Sequence, residues 1–171
     1  MAFTRNPLRL IPHAGLCLSV LATAASSNAA TVQTPFGVSA TVQQVCAVAA
    51  TNLGFGAYDA SSGSPNNTSS TITVTCTPSS TYSIALNAGT TSGGTEAVHL
   101  MTDGSSHTLT YNLFTDSNHT TKWGDGTLST TVVSGTADGT HQPYTLYGQV
   151  GIGQYVPSGS YTDTVTATVT Y

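Results

Sequence analysis

From residue 32 onward, apolar residues and threonines or serines change places at nearly every second position. A period of two leaves a chain little to form except strands with one buried and one solvated face. Val32, Thr34, Phe36, Val38, Ala40 and Val42 hold even positions, with Gln33, Pro35, Gly37, Ser39, Thr41 and Gln43 between them. The pattern returns in Ile72-Thr73-Val74-Thr75-Cys76 and, after a Pro78-Ser79-Ser80 turn, in Tyr82-Ser83-Ile84-Ala85-Leu86. Leu109, Tyr111 and Leu113 form a third face, and Leu146, Gly148, Val150 and Ile152 a fourth. Between Ser160 and Tyr171, Tyr161, Val165, Ala167, Val169 and Tyr171 share one side and five threonines the other. Asp163 interrupts that apolar side near its start, where a strand end is expected to reach water.

Composition removes the helical alternatives. The 171 residues include 32 Thr and 20 Ser, while Asp, Glu, Lys and Arg together make up 6%. Good helix formers are scarce and β-branched residues abundant. Turn clusters separate the alternating runs: Ser61-Ser62-Gly63-Ser64-Pro65-Asn66-Asn67, Gly93-Gly94, Asp103-Gly104, Asp125-Gly126, Asp138-Gly139 and Pro157-Ser158-Gly159. Seven or more short strands with this punctuation predict an all-β sandwich in a single domain.

The N-terminus has its own signature. Arg5 and Arg9 precede the short apolar run Leu16–Ala22 and then small residues, the plan of a secretory signal peptide over residues 1–29. Ser27 and Ala29 suit the peptidase, which places cleavage after Ala29, with Ala25 and Ala30 as alternatives. The exported chain then carries one lysine, Lys122, against seven carboxylates, a formal net charge of −6. Such a chain cannot neutralise phosphates, so neither nucleic acid nor an anionic membrane surface is an expected partner, and no membrane insertion is expected. Cys17 leaves with the leader. The even pair that remains, Cys46 and Cys76, is expected to form one disulfide in an oxidising compartment, and a metal site would need further ligands.

Two features go beyond an ordinary sandwich. A long alternating strand precedes Cys46, and the last strand runs to Tyr171 with nothing after it to cover its edge. Uncovered strand edges invite pairing with other chains. A strand supplied by another copy would cover this one.

Ordered motifs carry a family resemblance. Phe36-x-Val38-x-Ala40-x-Val42, Cys46-x-Val48-x-Ala50, Leu53-x-Phe55-Gly56-x-Tyr58 and Thr71-Ile72-Thr73-Val74-Thr75-Cys76 resemble the spore coat protein U domain. So do Leu109-x-Tyr111-Asn112-Leu113-Phe114-x-Asp116, Trp123-Gly124-Asp125-Gly126, Tyr147-Gly148 and Gly159-Ser160-Tyr161-x-Asp163-Thr164-Val165. That family includes the pilins of archaic, Csu-type chaperone–usher pili. The resemblance implies an incomplete immunoglobulin-like β-sandwich, completed by donor-strand exchange. It implies residues 30–44 as the donor strand, with Val32, Phe36, Val38, Ala40 and Val42 inserting into a neighbour, and residues 45–171 as the body. It further implies that Tyr161, Val165, Ala167, Val169 and Tyr171 border the groove and meet a periplasmic chaperone. The implied partners are that chaperone, an outer-membrane usher and other pilin subunits.

No catalytic or metal-binding set emerges, and no cofactor is expected. His99, His107, His119 and His141 lack ligand spacing, no Gly-x-Ser-x-Gly elbow is present, and solvated loops or strand faces are the expected places for these histidines. Asp116-x-Asn118 opens like a calcium loop, but Thr121 stands where that loop needs glycine, so a turn is expected. The sequons at Asn66, Asn67 and Asn118 read as turn residues. Trp123 is expected to cap one end of the sandwich, with a sugar-stacking platform as the alternative. The function expected is a non-enzymatic, exported fibre subunit serving adhesion and biofilm formation. A self-contained secreted coat or carbohydrate-binding module is the alternative, and an exported hydrolase the weakest reading.

Overall fold

The structure is a computed structural model that describes residues 28–171. The leader assigned to residues 1–29, with Cys17 and Ala25, therefore lies outside the described residues except at its last two positions. The chain divides into a unit ending at Ala40 and a unit spanning Thr41–Tyr171. In the first, residues 28–40 carry no regular structure and are exposed throughout. The alternation read there as a strand has no hydrogen-bonded partner strand among the described residues, and a ladder needs two sides.

The second unit holds eight strands: β1 (Cys46–Ala50), β2 (Asn66–Cys76), β3 (Thr81–Leu86), β4 (His99–Thr102), β5 (Thr108–Phe114), β6 (Val133–Thr136), β7 (Gln142–Val150) and β8 (Ala167–Thr170). They form a five-stranded sheet in the order β1-β2-β7-β5-β4 and a three-stranded sheet in the order β6-β3-β8. All strand pairings are antiparallel. The alternation predicts the inward face correctly: Ile72, Val74 and Cys76, Tyr82, Ile84 and Leu86, Leu109, Tyr111 and Leu113, and Leu146 and Val150 are all buried. Ile152 lies beyond the end of β7 and is 54% exposed. At Gly148 the absent side chain is the point, because a Cβ there would meet Leu53 Cδ2 at 2.7 Å and the Phe55 ring at 3.0 Å. The segment after β1 thus folds across β7 where β7 has no bulk.

Turns form where glycine or aspartate was expected to punctuate. Gly93, Gly104, Gly126 and Gly139 adopt positive φ, which is open to glycine without a Cβ clash. Asp59, Asp103, Asp125 and Asp138 each accept the backbone N–H two residues on, at 2.8 Å. Asp116 accepts from the amides of Asn118, Thr120 and Thr121, so its loop is a turn closed on its own carboxylate.

Three expectations are corrected. His99 is neither solvated nor in a loop: it is 1% exposed on β4, its ring 5.1 Å from that of Tyr111 and its Nε2 3.1 Å from the Asn87 carbonyl. Asn66 and Asn67 are the first residues of β2, paired with Val150 and Gln149, because the turn ends one residue earlier, at Pro65. Trp123 is 1% exposed and its Nε1 donates to the Ile84 carbonyl at 3.0 Å, which places it inside the core and leaves no face on which a sugar could stack.

Candidate functional site

The three-stranded sheet is too narrow to cover the five-stranded one. β1 pairs only with β2, and β8 only with β3, so each keeps a free edge among the described residues. Register shows what this leaves uncovered. Cys46, Val48 and Ala50 stand opposite Cys76, Val74 and Ile72, and paired residues share a face, so the β1 residues also point inward. Val74 is 0% exposed, whereas Val48 is 44% exposed.

Between the two free edges runs a groove of about 470 Å³. Ala50, Thr51 and Leu53 form one wall, and Tyr161, Val165 and Ala167 the other. Its floor is the core itself: Ile72, Leu86, Leu113 and Leu146. A larger depression, about 810 Å³, shares Leu53, Phe55, Met101 and Tyr161 with the groove and continues it between the loops around Gly56 and Pro157.

One carboxylate stands in this apolar wall. Asp163 Oδ1 accepts from the backbone amides and hydroxyls of Thr90 and Thr91 at 2.9 to 3.2 Å, and Oδ2 accepts from the Tyr111 hydroxyl at 2.7 Å. Burial works to raise its pKa, but the Tyr111 hydroxyl and the amides of Thr90, Thr164 and Thr91 outweigh it, so the carboxyl lies below its ordinary range. Tyr111 is correspondingly pushed up, by burial first and then by its bond to Asp163. Asp163 stands ahead of β8 and keeps part of its surface in water, as expected there, while protein donors take up both carboxylate oxygens.

The residues assigned to the groove strand are distributed unevenly. Tyr161, Val165 and Ala167 line the groove, Val169 packs against the core, and Tyr171 is 56% exposed beside a shallow depression on the three-stranded sheet. Val32, Phe36, Val38 and Val42 are 81 to 96% exposed, and Ala40 is exposed too. Cys46 and Cys76 are joined by a disulfide that fastens β1, one groove wall, to β2. Leu53, Phe55 and Tyr111 were visible in the sequence as motif residues, but nothing in their spacing announced a groove. Among the described residues no three His, Cys, Asp or Glu side chains gather as a metal would require.

The sequence matches the model of the Spore Coat Protein U domain over residues 32–168. The chain belongs to the Spore Coat Protein U domain family. Protein U of Myxococcus xanthus is 36% identical over 129 residues, which span 70% of this chain and 71% of that protein. Among solved structures, the family fold aligns with a chain of the chaperone–tip adhesion subunit pre-assembly complex from archaic chaperone-usher Csu pili of Acinetobacter baumannii. The TM-score is 0.58 at 22% identity, over 77% of this chain and 41% of that one. The Spore Coat Protein U domain here thus shares an immunoglobulin-like sandwich with that assembly and spans under half the length of the matched chain.

Proposed function

We propose that this Spore Coat Protein U domain is a structural subunit of a chaperone–usher surface fibre, that it catalyses no reaction, and that its groove takes an extended strand from another chain. The observation that carries the reading is the contrast of Val48 with its register partner Val74: a core-facing valine stays 44% exposed because the strand that would cover it is not supplied by the described sandwich. In the periplasm a chaperone supplies that strand, at the outer membrane an usher exchanges it, and in the fibre a neighbour's residues 30–44 replace it. Adhesion and biofilm formation are the services such a fibre performs. Export rests on the leader at residues 1–29, and no described helix is long and apolar enough to cross a membrane.

The energetics favour the exchange. Burying Phe36 and the three valines contributes roughly 6 to 12 kcal/mol of transfer free energy, an upper guide from which the entropy of ordering a free segment subtracts. Withdrawing a whole interleaved strand requires extensive unfolding, so the polymer persists in mild detergent until heated. A subunit lacking residues 30–42 accepts a synthetic peptide of that segment and gains thermal stability from it. An unchanged melting temperature at saturating peptide, with the truncated subunit folded, removes the reading.

The family's description as a spore coat domain favours a second reading, a secreted coat component, in which the N-terminal segment would complete its own sandwich. Hydrogen exchange on the dilute full-length chain separates the two. Protection of residues 32–42 in a monomer selects the coat component.

A further inference from the structure

We infer that Asp163 sets the register of the strand that fills the groove, placing Ala40 of a second copy beside Asp163 and Phe36 beside Ala167. The inference rests on the strand-exchange reading and sharpens it to residue pairs.

On the β8 side, β8 and the chain leading into it bring Tyr161, Asp163, Val165 and Ala167 to the groove at every second position, with Thr162 and Thr164 also lining it; Asp163 is the one charged residue there, and Val169 follows in β8 against the core. Asp163 is already saturated by Thr90, Thr91 and Tyr111, and a large apolar side chain set against its carboxylate would lie on charge and strip water from it. A small uncharged residue causes the least loss. In the series Val32, Thr34, Phe36, Val38, Ala40, Val42 the only alanine is Ala40.

Fixing Ala40 at Asp163 decides the direction. Run antiparallel, Val38 meets Val165, Phe36 meets Ala167 and Thr34 meets Val169, so the apolar positions of the wall are filled. Run parallel, Phe36 and Val38 fall before or at Tyr161, and Ala167 and Val169 stay bare. The antiparallel alignment has a second support, independent of charge: it sets the largest donor side chain against the smallest wall residue, Ala167, with the equally small Ala50 on the facing wall. The competing parallel alignment that brings Thr34 to Asp163 sets Phe36 against Val165 and Ala40 against Val169, crowding one position and leaving a void at the other.

The test uses the full exported chain carrying one added cysteine in the donor segment and one in the wall. Phe36→Cys with Ala167→Cys should give an intermolecular disulfide ladder about tenfold stronger than Phe36→Cys with Val165→Cys or with Val169→Cys. In the Asp163→Val background the three pairs should approach one another, because the penalty on neighbouring registers is gone. A dominant 36/165 or 36/169 ladder overturns the register while leaving strand exchange intact. Three unchanged ratios in Asp163→Val overturn the role of Asp163. No intermolecular ladder at any pair, from a folded monomer, overturns strand exchange itself. A size swap guards against misfolding of cysteine variants: Ala167→Phe should abolish heat-sensitive polymer, and Phe36→Ala in the same chain should restore it. Failure of that rescue, with Phe36→Ala alone still polymerising, also overturns the pairing.

Discussion

Two margins of the same sandwich are closed in different ways. Near β3 and β5 the chain closes itself: the Trp123 amide donates to Leu113 of the five-stranded sheet, and the next residue, Gly124, accepts from Leu86 of the three-stranded sheet. Two consecutive residues thereby tie both sheets, and the Trp123 side chain fills the space beneath them. At β1 and β8 no described segment makes the corresponding bridge, and the groove remains. The alternation of apolar residues is as regular at one margin as at the other. Binary pattern therefore specifies which face turns inward, while closure depends on a covering segment that the pattern alone does not identify.

If closure at the first margin is what makes the subunit stable, the largest loss should come from Trp123. Trp123→Ala removes a fully buried ring and its bond to Ile84, for an expected cost of about 3 to 5 kcal/mol in urea unfolding of the isolated subunit. A cost below about 1 kcal/mol, at the level of an exposed residue, would erase the difference between the margins.

Much of this was legible in the residues. β2, β3, β5 and β7 follow from alternation, because each has one face on the core and one in water. β4 and β6 were not legible, since four residues give too few periods to count. His99 was misread because an imidazole with one carbonyl partner can be buried, and nothing local in the sequence reveals the Asn87 carbonyl twelve residues away. The hydrogen bonding of Asp163 was illegible for a related reason: its donors Thr90, Thr91 and Tyr111 lie 52 to 73 residues off, so only the folded chain shows that the carboxylate is satisfied. Turn carboxylates such as Asp125 and Asp138 were read correctly because their partners are two residues on.

His99 supplies an intermediate effect that sharpens the comparison by acidification. Burial depresses its pKa from the ordinary 6.5, opposed by the Asn87 carbonyl and by the charges of Asp163 and Glu96, with Lys122 adding to the depression. Its Nδ1 has no partner among the described residues, so a proton added there would be buried without an acceptor among them. A depressed folded-state pKa means that the folded chain binds fewer protons than the unfolded one, so stability is full above pH 6.5 and is lost as pH falls from there through the folded value. Asp163, also depressed, adds its loss only below its ordinary 3.8. The melting temperature should therefore fall between pH 7 and pH 5, and His99→Phe should flatten that segment of the profile. An equal slope in both proteins would assign the acid sensitivity elsewhere.

The smallest effect on the free subunit is the most informative. Val48 and Val74 are register partners on one face, one 44% and the other 0% exposed, so a single isosteric change asks the same question at both. Val74→Thr buries a hydroxyl without a ready partner and should cost about 1 to 3 kcal/mol in the isolated subunit. Val48→Thr leaves its hydroxyl in water and should stay within about 0.5 kcal/mol of the parent. Filling the groove reverses the second result, because a strand laid beside β1 flanks residue 48 on its open side, as β1 and β7 flank residue 74 on both. Val48→Thr should then weaken binding of the 30–42 peptide by about tenfold or more while the melting temperature of the empty subunit is unchanged. Equal peptide affinity in parent and variant would mean that the incoming strand does not cover β1, and the groove's occupant would have to lie on β8 alone.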